Sequence, residues 1–331
     1  MEMIDQELHT TGLGGSEVGA LFDAHPFLDQ FTVKMRKTQP KLAFSGGPNE
    51  RQRFGKAMEP TTIALYEYLT GRQVNRCDTT RRHEKRLWQI ATPDAFCAEE
   101  IRGVELKCCF PDQRHIWGDT IEEIPQYALM QCWWYMSVCD IDRWDLVAMV
   151  LGEPLPRVYE LHRDPEREKV MVDYAEYWWN RYIVGDEVPP VTGSESSREW
   201  LKQMFPRNTS AIRKAEPDEV GLLEQYSEIR ISESRLTSER ALVENEIKLA
   251  IREADGLYWP GGKFTWKKTK DSTLTDWQAL AEMLMFTMSD EERREKLKLF
   301  TQTVPGYRRI HFVADALKEA KAESREQAGV R

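Results

Sequence analysis

The sequence predicts an α/β chain of the α+β kind, a central mixed sheet flanked by helices, followed by a mostly helical C-terminal extension with a β-hairpin. Three observations carry that reading. Short apolar runs with strand character alternate with helix-periodic stretches as far as about residue 190. Past the linker-like TGSESSRE (192–199), residues 217–254 place an apolar residue at every seventh position. LYWPGGKFTWKK then reads as a hairpin. The expected organisation is a first domain over residues 1–190, a linker over 191–215, and a helical extension over 216–331 with its hairpin near 257–268.

In chain order, the glycine-rich turn GLGG leads into a helix from Ser16, and residues 41–54, with SGGPNE, read as a loop. From about 55 to 70, Ile63, Leu65, Tyr66 and Leu69 form an apolar helical stripe that Gly71 stops. Two strand candidates follow. LWQIATPDAF carries a Pro-Asp turn signal, and GVELKCCF is reached through the polar AEEIRG. Next come a helix over about 124–138, a strand over 143–151 and a helix over about 165–184 that ends at Gly185. In the extension, Leu222, Ile229, Leu236, Val243 and Ala250 keep sevenfold spacing. The companion seam, Tyr226, Glu233, Arg240 and Ile247, is half polar. A coiled coil wants both seams apolar, so one long helix docked on its own domain or on a helical partner is expected. The hairpin places Gly261 and Gly262 at its turn, and two further helices and a charged tail (315–331) complete the chain.

Composition narrows the function classes. Hydrophobic residues make up 41% and charged residues 31% of the 331, as in ordinary soluble proteins. No apolar run nears the roughly 18–20 residues of a membrane span, and the polar N-terminus does not read as a signal peptide, so a cytoplasmic location is expected. Cys77, Cys97, Cys108, Cys109, Cys132 and Cys139 form no CxxC pair and are read as free thiols. A net charge of −9 argues against coating nucleic acid by bulk charge. A local basic track, Arg72, Arg76, Arg81, Arg82, Lys85 and Arg86, reads either as a grip on a polyanion or as a solvated loop.

The chemistry concentrates in Pro93-Asp94 and Glu105-Leu106-Lys107. Residues two apart on a strand share a face, so Glu105 and Lys107 project together. Two charges in so apolar a strand are costly unless something uses them. If the two strand candidates pair, Asp94 reaches the edge that carries Glu105. Two carboxylates there suit a hard cation, Mg²⁺ or Mn²⁺, and the lysine can orient an attacking water and stabilise charge growing on a phosphate. Glu59, on the preceding helix, reads either as a third carboxylate or as an acid favoured by the helix dipole. Gln131 and Tyr135, four apart on one helix face, read either as substrate contacts or as a polar helix edge.

In order and spacing, these residues resemble the lambda-exonuclease-like, YqaJ-type viral recombinase family of PD-(D/E)XK nucleases. The resemblance spans about residues 12–190 and rests on GLGGSEVGALF, FGKAMEPTTIALYEYLTG, TPDAF, VELKC and IPQYALMQCWWYM. It implies a restriction-endonuclease-like core, with Glu59, Asp94, Glu105 and the Leu106 carbonyl as metal ligands. Lys107 would be the catalytic lysine, Gln131 and Tyr135 the substrate-side pair, and Ser16 a contact for a terminal 5′ phosphate. The implied activity is Mg²⁺-dependent (Mn²⁺ able to substitute) exonucleolytic degradation of linear double-stranded DNA, 5′→3′, in phage or prophage recombination. It further implies a ring-shaped trimer and a single-strand annealing partner. The alternatives are an endonuclease with the same site, or a non-catalytic scaffold that binds DNA ends. Two positions depart from the family. His9 stands where an arginine usually precedes the serine by seven, and Ala128 stands where a tyrosine usually precedes the glutamine by three, with Tyr127 one residue earlier. The hairpin lysines, Lys267 and Lys268 among them, with Trp266 read either as DNA contacts or as a solvated surface.

Overall fold

The computed structural model describes residues 8–39, 49–77, 79–209 and 212–302. The chain divides into two compact units, Met1–Pro206 and Arg207–Arg331.

The first unit is built on a five-stranded mixed sheet of order β2-β5-β6-β7-β8: β2 (Val74–Arg76), β5 (Ala95–Cys97), β6 (Gly103–Cys109), β7 (Arg143–Val150) and β8 (Arg157–His162). Only β6 and β7 run parallel, and the helix α4 (Gln126–Cys139) lies between them in the chain. A three-stranded sheet, β1 (Leu13–Gly14), β4 (Gln89–Ala91) and β3 (Arg81–Arg82), sits apart from it. The segment expected as one strand, LWQIATPDAF, is thus split between two sheets. Pro93 has no N–H for a ladder, and the chain bends at Asp94 before re-entering extended structure.

Alternation along β6 sorts its side chains between two cores. Val104 and Leu106 pack with Tyr66 of α3 (Glu50–Thr70), Ala95 and Val147. The larger core gathers Leu13, Val18 and Leu21, which begin the unit, with Trp134 and Met136 of α4, Leu146 of β7, and Trp178 at the end of α5 (Pro165–Trp178). Glu105 and Lys107 therefore face α4. The helix α3 starts at Glu50 rather than near 55, because Asn49 and Gln52 cap each other's backbone amides reciprocally. The helix α5 continues into a π-helical turn, Trp179–Val184. Of the loop expected over 41–54, residues 41–48 lie outside the described residues, as does the tail 315–331.

The expected linker over 191–215 instead begins with structure. Helix α6 (Glu195–Met204) packs Trp200 against Phe31 and Met35 of α2 (Gln30–Thr38), so the first unit runs on to Pro206. Asp29 ties the two helices together. Its carboxylate caps α2 through the Thr32 amide and accepts from the hydroxyls of Thr192, Ser194 and Ser197. Burial opposes its charge, but the hydroxyls of Ser194, Ser197 and Thr192 outweigh that and hold the carboxyl well below the usual range. A depressed folded pKa contributes stability that is present above the unfolded value near 4 and is lost as pH falls below it. Asp29→Ala is therefore expected to destabilise the unit by about 2 kcal/mol at neutral pH. Urea titrations at pH 7 and in the acid range should show the gap to wild type closing as pH falls.

In the second unit, α7 (Pro217–Ile251) is a single 35-residue helix, matching the long helix expected over 217–254. The heptad residues Leu222, Ile229, Leu236 and Val243 are all exposed on it. The hairpin β9 (Gly256–Trp259) and β10 (Gly262–Thr265) turns through Pro260 and Gly261, with Gly262 at φ 150° opening the second strand. Helices α8 (Trp277–Met285) and α9 (Asp290–Phe300) follow.

Candidate active site

The strand register assembles the centre. β5 and β6 pair antiparallel through Ala95↔Val104 and Phe96↔Gly103, so the next step in the ladder sets Asp94 opposite Glu105. Asp94 turns its carboxylate back, and its Oδ2 accepts from the Leu106 amide at 2.8 Å. Glu105, 3% exposed, accepts at Oε1 from Lys107 Nζ and from Gln131 Nε2, both at 2.6 Å. Lys107 Nζ also donates to Gln131 Oε1 at 2.8 Å, and Gln131 Nε2 reaches the Tyr135 hydroxyl at 3.0 Å. Asp94, Glu105, Lys107, Gln131 and Tyr135 are thus one connected cluster.

Its electrostatics are those of charge held out of water. Burial, reinforced by the neighbouring Asp94 carboxylate, pushes the Glu105 carboxyl up to about 8. For Lys107 burial opposes the charge, but Glu105 outweighs it and keeps the ammonium above its ordinary value. Glu105 Oε2 is buried with no hydrogen-bond partner among the described residues. An orphaned carboxylate oxygen is costly unless a cation or proton meets it. Among the described residues no group of three or more His, Cys, Asp and Glu side chains converges. The donor set here is a pair of carboxylates. That fits Mg²⁺, which commonly takes one or two carboxylates and completes its sphere with water and substrate phosphate.

Glycine sets how closely α4 is approached. In the helix α1 (Gly15–Leu21), a Cβ on Gly15 would stand 2.5 Å from Tyr135 Cε1 and 3.2 Å from Gln131 Cγ. The same turn is braced by Glu17, which accepts from the Gly14 amide and from buried Lys37, itself bonded to the His9 carbonyl. Gly15→Ala is expected to push Tyr135 and Gln131 off the carboxylate pair and cost about 1–3 kcal/mol. Thermal unfolding and nuclease assays on the variant would read the two effects separately.

The structure treats the other expected residues unevenly. Glu59 does not join the pair: its Oε2 accepts from Arg76 Nη2 at 2.8 Å and lies 3.0 Å from Lys56 Nζ. Ser16 is exposed on the first turn of α1, and His9 lies beside the same turn, its Nδ1 3.8 Å from the place of a Cβ on Gly14. The expected basic track is partly consumed internally. Arg72 bonds Glu100, Arg86 bonds Gln89 and Ser137, and Arg76 holds Glu59. Arg81 lies over the Phe96 ring and Arg82 bonds the Leu87 carbonyl, yet both stay exposed, as does Lys85. In the second unit, Lys267 and Lys268 are exposed and pair with Asp255 and Asp271. Sequence reasoning missed the role of Gly15, the buried Glu17–Lys37 pair and His25, whose ring tilts against Tyr127 with centroids 5.2 Å apart. The only advance signal was the run of glycines before Ser16.

A mixed sheet that sets Asp94, just before β5, opposite Glu105 of β6, with Lys107 two residues on, has the arrangement of a PD-(D/E)XK core. Residues 6–142 match the model of the YqaJ-like viral recombinase domain. It is 25% identical over 259 residues to the uncharacterized protein YqaJ of Bacillus subtilis (strain 168), covering 77% of this chain and 80% of that one. Among solved structures it is similar to an alkaline exonuclease (LHK-Exo) from Laribacter hongkongensis. That match has a TM-score of 0.45 and 17% identity, over 60% of this chain and 95% of the other. A phage related exonuclease from Haemophilus somnus 129PT matches with a TM-score of 0.38 and 14% identity, over 53% of this chain and 96% of that one.

Proposed function

We propose that this protein is a metal-dependent deoxyribonuclease that degrades linear double-stranded DNA from its ends, 5′→3′. The observation that carries the reading is the Asp94–Glu105–Lys107–Gln131 cluster around buried Glu105, with its orphaned carboxylate oxygen. The match of residues 6–142 to the YqaJ-like viral recombinase domain supports the same reading.

Asp94 and Glu105, with the Leu106 carbonyl beside them in the chain, would hold Mg²⁺ or Mn²⁺. Such an ion supplies a Lewis acid that lowers the pKa of water and stabilises a leaving 3′ oxygen. The protein's own groups do the rest. Lys107 keeps its ammonium and offers a fixed positive charge to a phosphate or to an attacking water. Gln131 bridges Lys107 and Glu105, so it holds the ammonium at the carboxylate pair instead of leaving it free to rotate into solvent. Tyr135, locked against Gly15, fixes Gln131 in turn. Ser16, exposed at the start of α1 with His9 alongside, is the proposed contact for a terminal phosphate. The protein is proposed to act in the cytoplasm in phage or prophage recombination, as a ring of three copies with an annealing protein as partner.

The test is degradation of linear duplex carrying 5′-phosphate or 5′-hydroxyl ends, with Mg²⁺ and with EDTA. Loss of duplex with Mg²⁺ and none with EDTA is expected. A folded protein that leaves linear duplex intact would reject the reading, and equal digestion of closed circular plasmid would point to internal cutting.

A further inference from the structure

His25 is the strongest unassigned group near the centre. It follows α1 in a tight turn where its Nδ1 accepts the Phe27 amide at 3.0 Å. With Nδ1 an acceptor, the proton of a neutral ring must sit on Nε2. Nε2 has no partner among the described residues, and it is not sealed inside the core. Burial, then the charges of Lys107 and Arg36, lower the ring's pKa to about 4 and keep it uncharged at neutral pH.

The ring's address comes from α4. Tyr127, Gln131 and Tyr135 stand at i, i+4 and i+8, one row on one helix face. Tyr135 and Gln131 close the row at the carboxylate pair, and Tyr127 extends it four residues outward, about 6 Å further along the axis. Glycine again allows the approach. A Cβ on Gly19, four residues after Gly15, would meet Tyr127 at 3.0 Å and His25 Cβ at 3.8 Å. His25 and Tyr127 both lie within electrostatic reach of Lys107. Burial raises the Tyr127 phenol, so it too remains a protonated donor. The outer end of the row therefore presents two neutral donors within reach of the Lys107 and Arg36 cations, with Glu17, itself paired to Lys37, as the smallest influence on the ring.

We propose that His25 Nε2–H, backed by Tyr127, donates to a non-bridging oxygen of the phosphate next to the one being cleaved, and so positions the DNA strand. This inference rests on the nuclease reading. A neutral donor suits the place, because it binds a phosphate without adding repulsion towards the Lys107 ammonium.

The experiment compares His25→Asn and His25→Gln with wild type. Asparagine keeps an acceptor for the Phe27 amide, so the turn stands, but its donor falls short of the Nε2 position. Glutamine carries a donor out to that position. Steady-state degradation of a linear duplex with Mg²⁺ gives kcat and KM, and titration of the same duplex in metal-free buffer gives Kd. Thermal unfolding confirms that both variants fold. His25→Asn is expected to lower kcat/KM about tenfold or more and to weaken Kd, with His25→Gln recovering most of both. The slope of log Kd against log salt should not change, because the contact carries no charge. Wild-type kcat/KM and Kd in His25→Asn would overturn the proposal, and so would equal damage in both variants. If wild type binds duplex but does not degrade it, the nuclease reading fails, and the Kd arm still decides the role of His25.

Discussion

Lys107→Ala is expected to lower the rate of duplex degradation by about 10²–10³-fold, the usual cost of removing a fixed group that stabilises developing charge. The structure gives a second reason for so large an effect. Lys107 is the only cation bonded to Glu105 among the described residues, and its removal leaves Gln131 as the sole donor to that buried carboxyl. The carboxyl would then be harder still to ionise, because burial and Asp94 both already oppose its charge. Both the charge offered to the phosphate and the ionised ligand for a cation weaken together. The measurement is initial rate on linear duplex with saturating Mg²⁺, alongside circular dichroism to confirm folding. Degradation at the wild-type rate would remove Lys107 from the mechanism.

The largest expected stability effect lies on the opposite face of the sheet. Arg102, 2% exposed, donates to Asp145, fully buried, at 2.5 Å, and also to Glu160 at 3.0 Å. Tyr66 donates its hydroxyl to the same Asp145 at 2.6 Å, which ties α3 to the sheet. Arg102→Met takes the nearest cation from a buried carboxylate, leaving it the Tyr66 hydroxyl and Arg72 Nη1 at 3.4 Å, and is expected to cost about 3 kcal/mol. For a unit of this size that is a fall of roughly 10 °C in Tm. The urea midpoint should shift without a change in m. Replacing Asp145 by leucine in the same chain should recover most of the loss, because an apolar pair of similar volume often matches a buried ion pair. A double variant no more stable than Arg102→Met would show that the network acts through Tyr66, Arg72 and Glu160 instead.

The candidate cluster was readable in the chain because its spacing is local. Period two puts Glu105 and Lys107 on one strand face, period 3.6 puts Gln131 and Tyr135 on one helix face, and the eleven-residue gap from Asp94 to Glu105 matches an antiparallel return. The long helix of the second unit was readable for the same reason. Strands β2 and β3 were not, being only three and two residues long; β8 was passed over although Tyr159 and Leu161 alternate with exposed Glu160 and His162. Glu59 shows a different limit at the site. Its helix is evident, but that its carboxylate goes to Arg76 depends on where β2 lies against β5. The basic track fails as a continuous strip for a similar reason, since Arg72 and Arg86 meet acceptors contributed by other elements.

The sequence by itself determined the phasing of the candidate centre: Glu105 and Lys107 on one strand face, Gln131 and Tyr135 on one helix face. Only the tertiary structure decided which of those groups meet. The β5–β6 register brings Asp94 to Glu105, and Gly15 lets α1 press Tyr135 and Gln131 onto the pair. Burial then leaves one Glu105 oxygen without a partner. The division is physical: faces follow from backbone periodicity within a few residues, whereas pairing and desolvation arise when segments far apart in the chain exclude water from the same place.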